Sequence, residues 1–473
     1  LLAERGFSVA IVEAGPDLPI DRTPALYPHF FGSSHDWDFE TVPQAHLANR
    51  RIRWPRGRGP GGSTRINAMI WYPPSDADLA RLSIAGGPEW ASDALASSLA
   101  EVTDWVRPEP ARWTSDATLH FLATTKSLGL HAKLFSRMTR DGLRRTAADL
   151  LSESVAASSI TRLYGDVQKI CIESGCAVGI ELAASGTAER ESIRAHRAVI
   201  ICTGAVATPL LLMRSGIGPR DVPKANDVER VAVAQEVGSN LCDHLIMPVV
   251  FATRSQSRFP TSPSSDDIAQ FRIANTGPLA SNLAEAGGVF SLRHNDEAFL
   301  VQVHVTPTHY LLHPDDRAPA AMTIGVNLCH PRSRGRIGFN DVRQTSVDPA
   351  YLCDASDQGK LIVAIEFARS LAQQPTLSSF AGEELIPGKK RNDYDSLIRS
   401  IARFSQTLYH PTGTCRMGLD SNSVVNENLA VRGVAGLHVV DASVLPTIPA
   451  VNPNATVMML AMHAAKLIAS LPL

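Results

Sequence analysis

Leu1-Leu2-Ala3-Glu4-Arg5-Gly6-Phe7-Ser8-Val9-Ala10-Ile11-Val12-Glu13-Ala14-Gly15-Pro16 opens the chain. Leu1 to Arg5 reads as the last turn of a helix that Gly6 stops. Phe7 to Val12 is a continuous apolar run of strand length, rich in β-branched residues, and Glu13-Ala14-Gly15-Pro16 closes it. A run that is apolar on both faces predicts a buried parallel strand. Helix, glycine turn, strand and terminal acid make up the second half of a βαβ unit of the dinucleotide-binding kind, in which the acid hydrogen-bonds a ribose diol. Glu13 is the candidate for that acid. The Gly-rich turn of such a unit precedes its helix. Residue 1 is not Met and the chain opens in mid-helix, so the reading expects the first strand and its turn upstream of Leu1.

Working outward, a literal GxGxxG occurs at Gly57, Gly59 and Gly62, but it follows the acid. The stretch before it, Arg50 to Arg56 (RRIRWPR), is too charged for a buried parallel strand, so this is no first-turn phosphate loop. A second strand–turn–helix spans Ala198 to Met213 (AVIICTGAVATPLLLM). Ala198 to Cys202 reads as strand, Thr203-Gly204-Ala205 as tight turn, and Thr208-Pro209 as helix start with Pro in the first position. Leu437 to Val440, ended by Asp441, is a third buried strand. Asn454 to Ala469 has helical spacing with Asn454 as its N-cap. One parallel sheet built from strands near residues 10, 200 and 440 makes the nucleotide domain discontinuous. Between these pieces, residues 76–150 read as Ala-rich and mostly helical. Residues 247–345 hold alternating segments such as Ala298 to Val305 (AFLVQVHV) and Met322 to Leu328, which suit an antiparallel sheet.

Composition bounds the function. The chain has 473 residues, room for about three domains or two large ones. A net charge of −2 gives no electrostatic footprint for nucleic acid or anionic membranes. With 44% hydrophobic and 19% charged residues, a buried core is accessible and wholesale disorder is excluded. Seven cysteines, without CxxC or CxxCH spacing, read as reduced thiols, with neither a disulfide framework nor a metal site. The stretch Ala442 to Met462 carries Pro446, Pro449 and Pro453, which argues against an integral membrane segment. No basic n-region followed by an apolar stretch opens the chain, so the expected location is cytoplasmic.

Two places suggest chemistry. His410 lies in Tyr409-His410-Pro411-Thr412-Gly413-Thr414, after a helical run placed up to Leu408. Pro and Gly neighbours fix its backbone, and a neutral imidazole accepts a proton near pH 7. Asn452-Pro453-Asn454 precedes a helix N-terminus, whose free N–H groups and partial positive charge favour an anion. GxSxG, HExxH and GxxxxGK[ST] are absent, which removes the local signatures of serine hydrolases, zincins and P-loop enzymes.

Five segments in order resemble the glucose–methanol–choline (GMC) family of FAD oxidoreductases. They are Gly61 to Met69 (GGSTRINAM), Gly204 to Pro219 (GAVATPLLLMRSGIGP), Val237 to His244 (VGSNLCDH), Tyr409 to Gly418 (YHPTGTCRMG) and Val440 to Ala465. The resemblance implies an α/β fold with a discontinuous, Rossmann-like FAD-binding domain (1–75, 162–246 and 405–473). An α+β substrate domain would take the rest, helical over 76–161 and an antiparallel sheet over 247–404. By the same resemblance Glu13 holds the adenosine ribose, and the loop from Gly59 through Gly62, Ser63 and Asn67 to Ala68 lies over flavin and pyrophosphate. The Val167 backbone meets adenine, Gly204 and Ala205 face the ADP portion, and Asp441 and Ala442 face ribityl and pyrophosphate. Asn452, Pro453 and Asn454 approach the flavin pyrimidine.

The resemblance also makes His410 the base that takes the hydroxyl proton of a small-molecule alcohol while its hydride passes to flavin N5, with Asn452 orienting the oxygen. The motifs are common to oxidases, which use O₂, and to dehydrogenases, which pass electrons to a quinone or other carrier. Ile70-Trp71-Tyr72-Pro73-Pro74-Ser75 stands where the family has a YxRG-like run. There is no His between Arg50 and Met69, so FAD is expected to be noncovalent. Alternatives are an inactive or FAD-deficient fragment of such an enzyme, a flavin-containing hydroxynitrile lyase, and a nicotinamide enzyme. Trp71, Phe404 and Tyr409 are candidate pocket aromatics.

Overall fold

Left-handed backbone at Gly6, φ 85°, ends a 3₁₀ turn over Ala3–Arg5 and swings the chain into its first strand. The structure, a computed structural model, describes residues 1–154, 156–183, 190–220, 229–254, 263–311, 319–340, 342 and 344–471. The strands that build the fold are β1 (Val9–Glu13), β2 (Ile160–Tyr164), β3 (Asp166–Glu173), β4 (Cys176–Ala183), β5 (Arg190–Arg194) and β6 (Val199–Ile201). They continue with β7 (Leu245–Thr253), β8 (Ala286–His294), β9 (Glu297–Thr306), β10 (Ala321–Leu328), β11 (Ala381–Ile386) and β12 (Leu437–Val439). The helices that frame the site are α1 (Asp76–Gly86), α2 (Ser92–Val106), α3 (Asp116–Ser127), α4 (Gly204–Arg214), α5 (Ala355–Ala372), α6 (Tyr394–Phe404) and α7 (Asn454–Ser470).

The fold is mixed α/β, with a large antiparallel sheet in the order β11-β7-β10-β9-β8. Lys133–Leu134 extends this sheet beyond β8, and Gln406–Thr407 pairs with β7. Alternation along β9 and β10 divides its two faces. Val301, Val303 and Val305, with Met322, Ile324 and Val326, enter a core shared with Leu361, Ala364, Ile365 and Ala368 of α5. The intervening polar positions face the other way. A second core joins α1, α2, α4 and α7 to β6 and β12 through Leu82, Leu95, Leu211, Val439, Met459 and Leu460. Residues 76–161 contribute to both cores, since Ala117 and Phe121 of α3 belong to the first.

Strand pairing departs from the sequence reading. β1 pairs in parallel with β2, from Val9 opposite Ile160 to Glu13 opposite Tyr164. β6 pairs in parallel with β12, from Val199 opposite Leu437 to Ile201 opposite Val439. Among the described residues these are two separate pairs, where one sheet was expected. β1 was expected to be buried, yet Ile11 is 37% exposed, and among the described residues no side chain of β1 joins a hydrophobic core.

Two helix starts also differ. α4 begins at Gly204 and carries Pro209 inside it, where Pro had been expected at the first position. Pro209 has no N–H for the Ala205 carbonyl one turn back, and the Thr414 hydroxyl donates to that carbonyl instead, at 2.7 Å. α7 begins with Asn454 as its first helical residue; Pro453 occupies the cap position and no side chain caps it. The helical run expected up to Leu408 stops at Phe404, where α6 gives way to the short strand Gln406–Thr407. Among the described residues no helix is long and apolar enough to cross a membrane, and no cluster of three His, Cys, Asp or Glu is placed to hold a metal ion.

Candidate active site

The C-terminal end of β1, the loop Gly57–Met69, the N-termini of α4 and α7 and the polar face of the large sheet enclose a cavity of about 850 Å³. Glu13 sits at its wall, and Oε1 accepts from the Gly15 and Gly59 amides at 2.9 and 3.3 Å. This contact binds the strand end to the loop. A Cβ on Gly15 would stand 2.3 Å from the Gly59 nitrogen, and one on Gly57 would stand 2.2 Å from the Gly62 carbonyl oxygen. Gly15 and Gly57 therefore serve close backbone-on-backbone approach at this loop. Ser63 Oγ accepts from the Gly57 amide at 3.2 Å.

Arg144, fully buried, holds the far part of the loop. It donates to the Thr64 carbonyl (3.0 Å), the Asn67 carbonyl (2.7 Å) and Asn67 Oδ1 (3.2 Å). Burial lowers its pKa to about 9, so it still carries its charge at neutral pH. Asn67 Oδ1 accepts from the Met69 amide as well, and Asn282 Nδ2 donates to the Ala68 carbonyl at 2.7 Å. Asp441 braces the opposite side. Oδ2 accepts from the Gly204 amide (2.8 Å) and the Thr208 hydroxyl (2.6 Å), and Oδ1 accepts from the Ser443 amide (2.8 Å). A carboxylate at the start of α4 also suits the positive end of that helix.

The α7 N-terminus is aimed by a contact from α1. Asp78, capping α1 with Ser75, also accepts from the Ala450 amide at 3.1 Å. The first intrahelical bond of α7 runs from the Val457 amide to the Pro453 carbonyl, so the amides of Asn454, Ala455 and Thr456 have no intrahelical acceptor.

His410 follows Tyr409, a non-glycine residue in left-handed backbone, φ 66°. That conformation is strained and is held from several sides. Arg56 Nη2 donates to the Tyr409 carbonyl at 2.7 Å, the Tyr409 amide donates to Thr407 Oγ1 at 2.7 Å, and the His410 amide donates to Asp243 Oδ1 at 2.7 Å. Asp243 Oδ2 accepts from the hydroxyls of Thr407 and Tyr351.

Partner chemistry assigns the ring protons around His410. His244 Nε2 lies 3.0 Å from the Cys329 carbonyl, which only accepts, so that nitrogen carries the proton. His244 Nδ1 is then an acceptor. It lies 3.0 Å from His410 Nδ1, which must donate. His410 Nε2 is left with its lone pair, 3.2 Å from Asn452 Nδ2, and Asn452 Oδ1 accepts from Gln302 Nε2 at 3.2 Å. Burial, reinforced by His244, His304 and Arg56, holds His410 well below the ordinary histidine value. Burial likewise lowers His244 to about 4 and His304 to about 3. All three rings are neutral at pH 7, and the arrangement offers one oriented proton acceptor beside one amide donor.

The GMC oxidoreductase family model matches the chain over residues 138–246 and 331–461. An uncharacterized GMC-type oxidoreductase of Mycobacterium tuberculosis is 31% identical over 98% of this chain and 94% of its own length. The chain belongs to the GMC oxidoreductase family. An alcohol dehydrogenase [acceptor] of Pseudomonas putida is 29% identical over 99% of this chain and 92% of its own length. Among solved structures, a pyridoxine 4-oxidase from Mesorbium loti superimposes with TM-score 0.83 at 28% identity, covering 98% of this chain and 95% of that one.

As a GMC oxidoreductase the chain is an FAD enzyme, and the cavity fits the cofactor. Gly62 and Gly204, on the wall with φ of 52° and 85°, have open space where a Cβ would project, which leaves bare backbone for a ligand to approach. The free amides of α7 add donors for an anionic group.

Most residues named from sequence meet at this cavity. Glu13, Gly62, Ser63, Asn67, Ala68, Gly204, Ala205, His410, Asp441, Ala442, Asn452, Pro453 and Asn454 line it. Gly59 stands behind Glu13, and Val167 lies apart from the lining, on β3 opposite Leu182. Tyr409 lines the cavity, whereas Trp71 is buried in the second core and Phe404 packs on the first. Sequence reasoning assigned no role to His244, Asp243, Arg56, Arg144, Gln302 or His304. The Cys242-Asp243-His244 run was visible within a family motif. Gln302 and His304 were visible as the polar positions of an alternating strand.

Proposed function

We propose that the protein oxidises a primary or secondary alcohol on a small molecule to the aldehyde or ketone, with His410 as base and Asn452 as the group that orients the substrate oxygen. The observation that carries this reading is the His410 Nε2 lone pair, with its tautomer set through His244 and Cys329, facing the cavity beside Asn452 Nδ2. A substrate hydroxyl there donates to Nε2 while its oxygen accepts from the amide, so the carbon–hydrogen bond is held as the proton leaves. Bound FAD supplies the hydride acceptor. Relatives named alcohol dehydrogenase [acceptor], pyridoxine 4-oxidase and oxygen-dependent choline dehydrogenase support an alcohol substrate.

In this reading Glu13 takes the adenosine ribose, the loop Gly59–Ala68 covers flavin and pyrophosphate, and Gly204, Ala205, Asp441 and Ala442 flank the phosphates. Val167 meets adenine through its backbone, and Asn452, Pro453 and Asn454 reach the flavin pyrimidine. Residues 1–75, 162–246 and 405–473 form the cofactor side, and 76–161 and 247–404 shape the substrate side. The absence of His between Arg50 and Met69 supports noncovalent FAD.

Anaerobic flavin reduction in His410→Ala and Asn452→Ala variants tests the proposal. His410→Ala should retain FAD and slow reduction by about 10²–10⁴-fold, the range for loss of a general base. Asn452→Ala should slow it less, since a hydrogen bond and not the proton acceptor is lost. Near-normal reduction in His410→Ala contradicts the assignment.

A further inference from the structure

Gln302, His304 and Thr306 stand two residues apart on β9 and therefore share one face of the strand. His304 and Thr306 line the cavity. Gln302 is engaged, donating to Asn452 Oδ1 at 3.2 Å. The next two are not. Neither ring nitrogen of His304 and not the hydroxyl of Thr306 has a hydrogen-bond partner among the described residues, although the residues are 3% and 4% exposed. Buried groups left this way bear their full desolvation penalty.

The sheet offers them nothing. His304 lies opposite Gly287 on β8 and Gly325 on β10, neither of which has a side chain. Phe135 packs against the imidazole with ring centroids 5.5 Å apart and gives it no hydrogen bond. Thr306 lies opposite Thr323, whose hydroxyl already donates to the Thr308 carbonyl and accepts from the Tyr310 amide.

We propose that His304 and Thr306 form a polar subsite for a second, neutral hydrogen-bonding group on the substrate, such as a hydroxyl, carbonyl or ring nitrogen, a few bonds from the hydroxyl that His410 and Asn452 hold. The inference rests on the alcohol-oxidising reading and names the substrate class for it: a hydroxy compound with a second polar function, and not a plain hydrocarbon alcohol. Successive side chains on one face of a strand are about 6.5–7 Å apart, which places His304 one such step and Thr306 two steps from the Gln302–Asn452 contact. A neutral imidazole offers one donor and one acceptor, and a threonine hydroxyl offers both. The two carboxylates of the lining, Glu13 and Asp441, belong to the proposed cofactor side, and neither His304 nor Thr306 carries a negative charge, so the subsite suits a neutral group.

The test times anaerobic flavin reduction of the FAD-loaded protein with α,ω-diols of increasing length and with aromatic bis(hydroxymethyl) compounds. Each is compared with the partner in which the far hydroxyl is replaced by methyl. A site that pairs the far hydroxyl should favour one or more diols over their partners by about tenfold or more. In H304L/T306V the ratio should fall to within about twofold of unity, with T306V alone intermediate. Because each ratio compares two substrates on one protein, general damage to the fold cancels. A ratio near unity across the wild-type series, or an unchanged ratio in the variants, overturns the subsite while the alcohol-oxidising reading stands. If no alcohol of the series bleaches the flavin, that reading fails and the subsite fails with it.

Discussion

The Cys329 carbonyl decides which nitrogen of His410 is free, although it never touches that ring. It fixes the His244 proton on Nε2, which makes His244 Nδ1 an acceptor and orients the His410 proton away from Asn452. His244→Phe should therefore slow flavin reduction by roughly 10²-fold while FAD stays bound, as expected when a base loses the partner that sets its tautomer. Rates close to wild type would detach His244 from the mechanism. The lowered pKa of His410 predicts a second effect. Its free base persists as pH falls through 6.5, so the reduction rate should stay flat from pH 7.5 to 6, with the acid limb displaced lower; a limb centred near 6.5 contradicts this.

Folding stability responds in the same direction. His244 and His304 have depressed folded-state values, about 4 and 3 against 6.5, so the unfolded chain takes up protons first as pH drops. Stability should be full above about pH 6.5 and decline below it, by roughly 1 kcal/mol per histidine per pH unit. Urea unfolding at pH 7.5, 6.0 and 5.0 measures this, and replacing His304 by Leu should flatten the slope.

Elements show how far local pattern carries. β9 and β10 were legible because their alternation is a period-2 signal, and the core face, Val301, Val303 and Val305, follows from it directly. The same pattern ordinarily assigns its polar positions to water. Here all three polar positions are buried, Gln302 against Asn452 and His304 and Thr306 against the cavity. α4 was legible as strand–turn–helix, but its start was misplaced by Pro209. The Pro is tolerated inside the helix because Thr414, over 200 residues away, takes up the freed Ala205 carbonyl. Thr414→Val should lower stability by about 1–3 kcal/mol through that orphaned carbonyl. Adding Pro209→Ala should recover part of the loss, since an alanine amide can bond Ala205; denaturant midpoints with no recovery would separate the two residues.

At the scale of the whole molecule, the cavity draws its wall from segments near residues 13, 63, 204, 304, 410, 441 and 452. No single segment holds the cofactor, so FAD should bind the folded state alone. The melting temperature should then rise with FAD concentration, and a melting curve indifferent to FAD would contradict the placement. Five motifs in order, from Gly61–Met69 to Val440–Ala465, made the family legible, and two of them, Tyr409–Gly418 and Val440–Ala465, carry His410 and Asn452. The pairing of β1 with β2, and the approach of His244 to His410, were not legible, because each joins positions about 150 or more residues apart and tertiary packing alone sets them.

The central claim is alcohol oxidation with the cofactor turning over, and anaerobic titration of the FAD-loaded protein tests it most directly. A substrate alcohol should bleach the flavin absorbance with one equivalent of aldehyde or ketone formed per flavin reduced, and the bleaching should slow by orders of magnitude in His410→Ala. A flavin that stays oxidised in the presence of every alcohol offered, or that bleaches equally fast without His410, contradicts the account.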